Sequence, residues 1–191
     1  SLRFVGFYIT AFLLTLLVVS SVKKYEQLQL IAVLAVAGLT IAALYGCYQG
    51  IIGVEVVPNQ QDMAVNAGMP GRVYSFFDNP NNFAELLAML MPLLYALFLN
   101  AKGWRGKVAA LFSFGVCLAA LGFTLSRSSW LGFTLATVVF VAFWNWKLLP
   151  LLVVLGLCCI PILPQSIYNR ILTIGNTKDS STSYRFAIYK A

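Results

Sequence analysis

The chain has 191 residues, of which 60% are hydrophobic and only 10% charged, against about a quarter charged in a soluble domain. That excludes an ordinary water-soluble globule and points to lipid as the main solvent. The net charge of +7 comes from 13 Lys and Arg scattered singly or in pairs between apolar runs, which excludes a nucleic-acid groove with a basic, aromatic-laced stripe.

Taking roughly 17 to 25 apolar residues as one bilayer crossing, helices are expected over 4–21, 29–48, 83–100, 107–125, 129–146 and 148–163. The expected fold class is all-α, a polytopic transmembrane bundle of about six helices forming a single membrane domain, with outward segments at 49–82 and 165–191. The first run, from Phe4, is too long for a signal peptide and lacks an AxA-like cleavage site. Ser1 at one end and the polar Tyr189-Lys190-Ala191 at the other read as cuts in a longer protein. The last two helices adjoin closely: Pro150 suits a first turn, and Pro161 and Pro164 stand where the sixth helix is expected to stop.

Lys23 and Lys24, then Lys102, Arg105 and Lys107, then Lys147 fall on alternate connections, which the positive-inside rule assigns to the cytoplasm. Trp104, Trp144 and Trp146 border those loops as interfacial anchors. The opposite side collects Glu55, Asp62, Arg72, Asp78, Asn79, Asn81, Asn82, Arg127, Arg170 and Arg185. Cys47, Cys117, Cys158 and Cys159 lie in or beside apolar runs without CxxC spacing, and there is no histidine, so neither disulfides nor a zinc site is expected.

Three constellations on the outward side carry candidate chemistry. In Thr124-Leu125-Ser126-Arg127-Ser128-Ser129-Trp130 an arginine stands between two apolar runs. An intramembrane arginine costs about 2.5 to 3.5 kcal/mol on insertion scales and normally faces protein, water or an anion. It reads equally as a snorkelling residue at a helix end or as a fixed cation for phosphate, with the hydroxyls of Ser126, Ser128 and Ser129 and a helix N-terminus beside it. The segment Gly71 to Glu85 leads into the third helix, and Asn82 and Glu85 have the spacing of a capping box. Arg72 lies outside that cap, free to join Arg127 in a cationic cluster with which Glu85 pairs. In the tail, Arg185 opens an apolar-aromatic pattern with Phe186 and Tyr189, an interfacial helix or simply a surface arginine.

These three features in this order resemble the O-antigen ligase and O-antigen polymerase superfamily of bacterial envelope glycosyltransferases, of the GT-C type. The matching stretches are Arg72 to Glu85, with its Asn-Pro-Asn entry to a helix, the element Ser126-Arg127-Ser128, and Arg185 after the next helix pair. The resemblance covers the chain from about residue 70 onward and implies a protein of 10 to 12 helices in the bacterial plasma membrane. It implies transfer of a glycan from an undecaprenyl diphosphate carrier, at the outer face, to a glycan, lipid or protein acceptor. It assigns Arg127 and Arg185 to the diphosphate as catalytic residues, and places Arg72, Asn81, Glu85, Ser126 and Ser128 around the substrate. Guanidinium groups stabilise charge as it develops on the leaving diphosphate, so no metal or other cofactor is called for. Family members carry a histidine as candidate base in a later outer loop; this sequence has none and is expected to be catalytically incomplete.

A second reading from another class is a transporter or permease in which Arg72, Glu85 and Arg127 line a path for an anion or sugar. It predicts an inverted repeat, and none is visible. A third is a scaffold whose polar residues are all caps and anchors.

Overall fold

The computed structural model describes residues 2–56, 70–159, 161 and 164–172. Those residues form α1 (Leu2–Ser21), α2 (Tyr25–Ile52), α3 (Pro80–Asn100), α4 (Trp104–Phe123), α5 (Arg127–Asn145), a 3-10 turn (Trp146–Leu148), α6 (Leu149–Cys159) and α7 (Gln165–Leu172), with no strand among them. The all-α expectation holds. Five stretches are long and apolar enough to cross a membrane: Phe4–Ser21, Tyr25–Ile52, Pro80–Asn100, Trp104–Phe123 and Arg127–Cys158. The helices leave no backbone ladder open to lipid, which is why a chain this apolar takes helical form.

The chain divides into two compact units, Ser1–Ala35 and Val36–Ala191, with the boundary inside α2. In the first, every side chain from Phe4 to Ser21 is exposed, Phe4, Phe7, Tyr8 and Phe12 included. Only an apolar solvent tolerates such a surface. The turn into α2 is closed by Gln27, whose Oε1 accepts from the backbone N–H of Lys23 at 3.0 Å and Lys24 at 3.2 Å, as the third residue of a capping box does.

The core of the second unit is a seam of helical-period positions: Val36, Leu39, Ala43 and Gly46 on α2; Phe83, Leu87, Met91 and Leu94 on α3; Ala110, Cys117, Ala120 and Leu121 on α4. Small residues on α2 and α4 allow close approach, which is how helices gain packing where lipid removes the hydrophobic drive. A Cβ on Gly46 would stand 2.9 Å from Cε1 of the Phe83 ring, so the fully buried Phe83 requires glycine there. Deeper in the bundle the Tyr95 hydroxyl pairs with Thr137 Oγ1 at 2.9 Å, joining α3 to α5 beside the rings of Phe114 and Phe140.

Two elements toward the end of the chain, α6 and α7, depart furthest from the sequence expectation. The sixth helix, expected over 148–163, is the 11-residue α6, about 16 Å long and too short to cross a bilayer core of about 30 Å alone. The 3-10 turn Trp146–Leu148 separates it from α5, whose last residue, Asn145, is extended and accepts at Oδ1 from Lys147 N at 3.2 Å. A polar side chain satisfying the turn's backbone stops α5 there, and Pro161 and Pro164 limit α6 on its far side. The second difference is α7, inside the expected outward tail. Pro164 starts it, its carbonyl accepting from Ile167 N at 2.9 Å and Tyr168 N at 3.0 Å. Gly122, on the last turn of α4, faces α7 so closely that a Cβ there would meet Ile167 Cδ1 at 3.1 Å. The chain therefore returns from the α5–α6 break to the end of the unit where α5 began.

Candidate functional site

The C-terminus of α4, the N-termini of α3 and α5, and the segment 71–79 meet at one end of the second unit. Lys102 and Lys147 belong to the connections at the other end and Arg105 and Lys107 to the first turn of α4 there, with Trp104, Trp144 and Trp146 exposed beside them.

A helix ends with four carbonyls lacking intrahelical donors. At the end of α4 those four, Ala120 to Phe123, and the carbonyl of the cap residue Thr124 are each answered individually. Ala120 O accepts from Thr124 N at 3.1 Å, and Gly122 O from Leu125 N at 3.1 Å. Leu121 O takes the Thr124 hydroxyl at 2.7 Å and the Trp130 indole N–H at 2.9 Å. Phe123 O accepts from Val73 N at 3.2 Å, and Thr124 O from Arg72 Nε at 2.8 Å. Leu125 then turns the chain with φ +51°, in the left-handed region, although it is a leucine only 3% exposed. That conformation costs a non-glycine residue about 1 to 2 kcal/mol and persists only where its surroundings hold it.

After the turn, Ser126 caps α5 by position but not with its hydroxyl. Ser126 Oγ donates to Asn81 Oδ1 at 3.2 Å and lies 3.1 Å from Ser129 Oγ. Asn81 Oδ1 also accepts from Arg72 Nη2 at 2.6 Å. Arg72, 8% exposed, thus links the ends of three helices: the carbonyl end of α4 directly, and the starts of α3 and α5 through one amide oxygen. A cation at a helix C-terminus also offsets its negative pole.

The segment carrying Arg72 is itself anchored. Gly71 passes so close to Val54 that a Cβ would stand 2.0 Å from its carbonyl oxygen. Ser75, with φ +56°, is gripped by Gln49: Oε1 accepts from Ser75 N at 2.7 Å and Nε2 donates to Ser75 O at 3.2 Å. The Ser75 hydroxyl donates to Ala42 O at 2.7 Å, and Phe76 stacks on Tyr45 with ring centroids 4.5 Å apart.

Of the residues the sequence singled out, Arg72, Asn81 and Ser126 are joined by hydrogen bonds, and Arg127 follows as the half-buried first residue of α5. Ser128 is exposed beside it. Glu85 is exposed on α3, while the Arg72 guanidinium turns toward Thr124 and Asn81. Arg185 lies outside the described residues, as do Asp62 and the pattern around Phe186 and Tyr189. The capping box at Asn82 and Glu85 is corrected. Helix α3 begins at Pro80, and its cap is Asn79, whose side chain accepts from Asn81 N at 2.8 Å. Proline fits the first helical position because its missing N–H is unneeded there, and that sets the start three residues earlier.

Thr124, Trp130, Gln49 and Ser75 escaped the sequence reading as members of this network. Gln49, a lone amide in the apolar run Leu44 to Ile52, was the visible signal for one of them. Among the described residues no buried side-chain nitrogen or oxygen lacks a partner. The fold and its apolar spans define a multi-pass, all-helical membrane protein. Compared with protein-family models, curated proteins and solved structures, the chain matches none.

Proposed function

We propose that this protein is a membrane glycan ligase or polymerase, using a glycan carried on undecaprenyl diphosphate at the outer face of a bacterial plasma membrane. The observation that carries the reading is the Ser126-Arg127 corner: a half-buried cation on the first residue of a transmembrane helix, beside a buried polar network, where spans α3, α4 and α5 meet. A helix N-terminus and a guanidinium together favour a dianionic headgroup. The isoprenoid tail of such a carrier lies in lipid while its diphosphate stands at the height of the helix ends.

In the reaction, an acceptor hydroxyl attacks the anomeric carbon of the glycan, the bond from that carbon to the diphosphate oxygen breaks, and the carrier diphosphate leaves with the electron pair. Arg127 stabilises the charge gathering on that leaving group, with the exposed Ser128 hydroxyl next to it. By resemblance Arg185 approaches the same anion. The acceptor, whether glycan, lipid or protein, gives up its hydroxyl proton to a base, which by resemblance is a histidine of a later outer loop in family members.

The test is transfer from an undecaprenyl diphosphate-linked donor in membranes carrying the intact full-length protein, its Arg127→Ala variant and its Arg127→Lys variant at matched abundance. Loss of transfer in both is expected, because a lysine does not reproduce a bidentate contact to diphosphate. Wild-type transfer by Arg127→Lys would refute the role. Uptake of a sugar or anion into vesicles without transfer would instead favour a permease.

A further inference from the structure

We infer that Arg72 is a positioning residue: it locks the α4–α5 corner with Leu125 in its left-handed turn, and so fixes where Arg127 is presented. The inference rests on the function proposed above only for what Arg127 meets.

Two hydrogen bonds of Arg72 fall on either side of the strained residue. Nε holds Thr124 O, immediately before Leu125, and Nη2 holds Asn81 Oδ1, which in turn accepts from Ser126 Oγ, immediately after it. Val73 N–H adds a third tie at Phe123 O. A left-handed leucine relaxes once a flanking residue is released, because the right-handed and extended regions are open to it and the left-handed one is costly. Relaxation at Leu125 rotates every bond that follows, and Arg127 is two residues on.

The fork of a guanidinium explains why arginine stands here. Two nitrogens at fixed separation reach two acceptors on different helices at once, whereas an ammonium is a single point charge on a flexible stem. Burial of Arg72 to 8% exposure, with Nε directed at Thr124 O and Nη2 at Asn81 Oδ1, suits a brace between helices better than a contact to a passing headgroup.

The corner contains its own reporter in Trp130, whose indole N–H is bonded to Leu121 O. The experiment uses a variant in which Trp104, Trp144 and Trp146 are phenylalanine, embedded in nanodiscs, and reads two quantities: the indole N–H resonance of Trp130, and affinity for undecaprenyl diphosphate. Arg72→Met is expected to move the Trp130 resonance and to weaken binding by at least about tenfold. The double variant Arg72→Met, Arg127→Ala is expected to bind no more weakly than Arg127→Ala alone, since a residue acting through another adds nothing once that one is gone. Multiplying losses in the double variant would overturn the inference and make Arg72 a direct ligand. An unmoved Trp130 resonance in Arg72→Met would overturn it too. If Arg72→Met does not fold, Asn81→Ala cuts the Ser126 arm alone, and an unmoved Trp130 resonance there overturns the inference equally. Should the wild type not bind the diphosphate at all, the functional reading fails while the Trp130 measurement still decides the role of Arg72.

Discussion

Replacing Gln49 by leucine tests whether the loop carrying Arg72 is held as described. Leucine is comparable in size although it branches one carbon earlier, so the main loss is polar: the N–H and C=O of Ser75 both lose their Gln49 partner. Ser75 is 3% exposed, and its N–H and C=O meet Gln49 at 2.7 and 3.2 Å. A buried polar group left without a partner costs about 1 to 3 kcal/mol. Two such groups, one of them recovering part of its loss by relaxation, give a destabilisation of about 3 kcal/mol, or about 6 to 12 °C in Tm for a chain of this size. Gln49→Glu keeps the acceptor for Ser75 N–H but sets a carboxylate oxygen against Ser75 O, and is expected to lose at least as much. Thermal unfolding in detergent, followed by the reactivity of the buried Cys117 toward a maleimide, measures the shift. A Gln49→Leu protein with wild-type Tm and unchanged Cys117 protection would refute the reasoning, because the left-handed Ser75 turn would then need no grip.

Two further outcomes follow from close contacts. Gly46→Leu forces a side chain into the ring of Phe83 and is expected to reduce the folded fraction recovered from membranes severely, by about 1 to 3 kcal/mol or more of overpacking; size-exclusion recovery checks it, and wild-type recovery would show that α2 does not pack there. Gly122→Leu displaces Ile167, so a cysteine placed at Tyr168 should label faster with a membrane-impermeant reagent than in the parent, while an unchanged rate would separate α7 from the end of α4.

The spans themselves were legible in the sequence. Apolar runs of bilayer length announce helices because no other open structure satisfies its backbone in lipid, and the observed α1 to α5 fall within a few residues of expectation. The α3 start was misplaced because an Asn-x-x-Glu spacing and an Asn-Pro pair compete for the same turn, and the choice depends on which asparagine side chain can bend back onto the helix. Helix α7 was missed because eight residues are too few to rise above an irregular tail when hydropathy alone is read.

The order Ser126-Arg127 between two apolar runs was enough to place an arginine at a helix start near the membrane surface, since that follows from hydropathy and spacing. Whether a second arginine would join it was decided by tertiary structure alone. Arg72 and Arg127 are 55 positions apart (127 − 72), and a guanidinium has both donors for backbone carbonyls and charge for an anion. Only the approach of segment 71–74 to the unsatisfied carbonyls of α4 turned Arg72 inward, onto Thr124 O and Asn81, because a buried helix end must find donors from elsewhere in the fold.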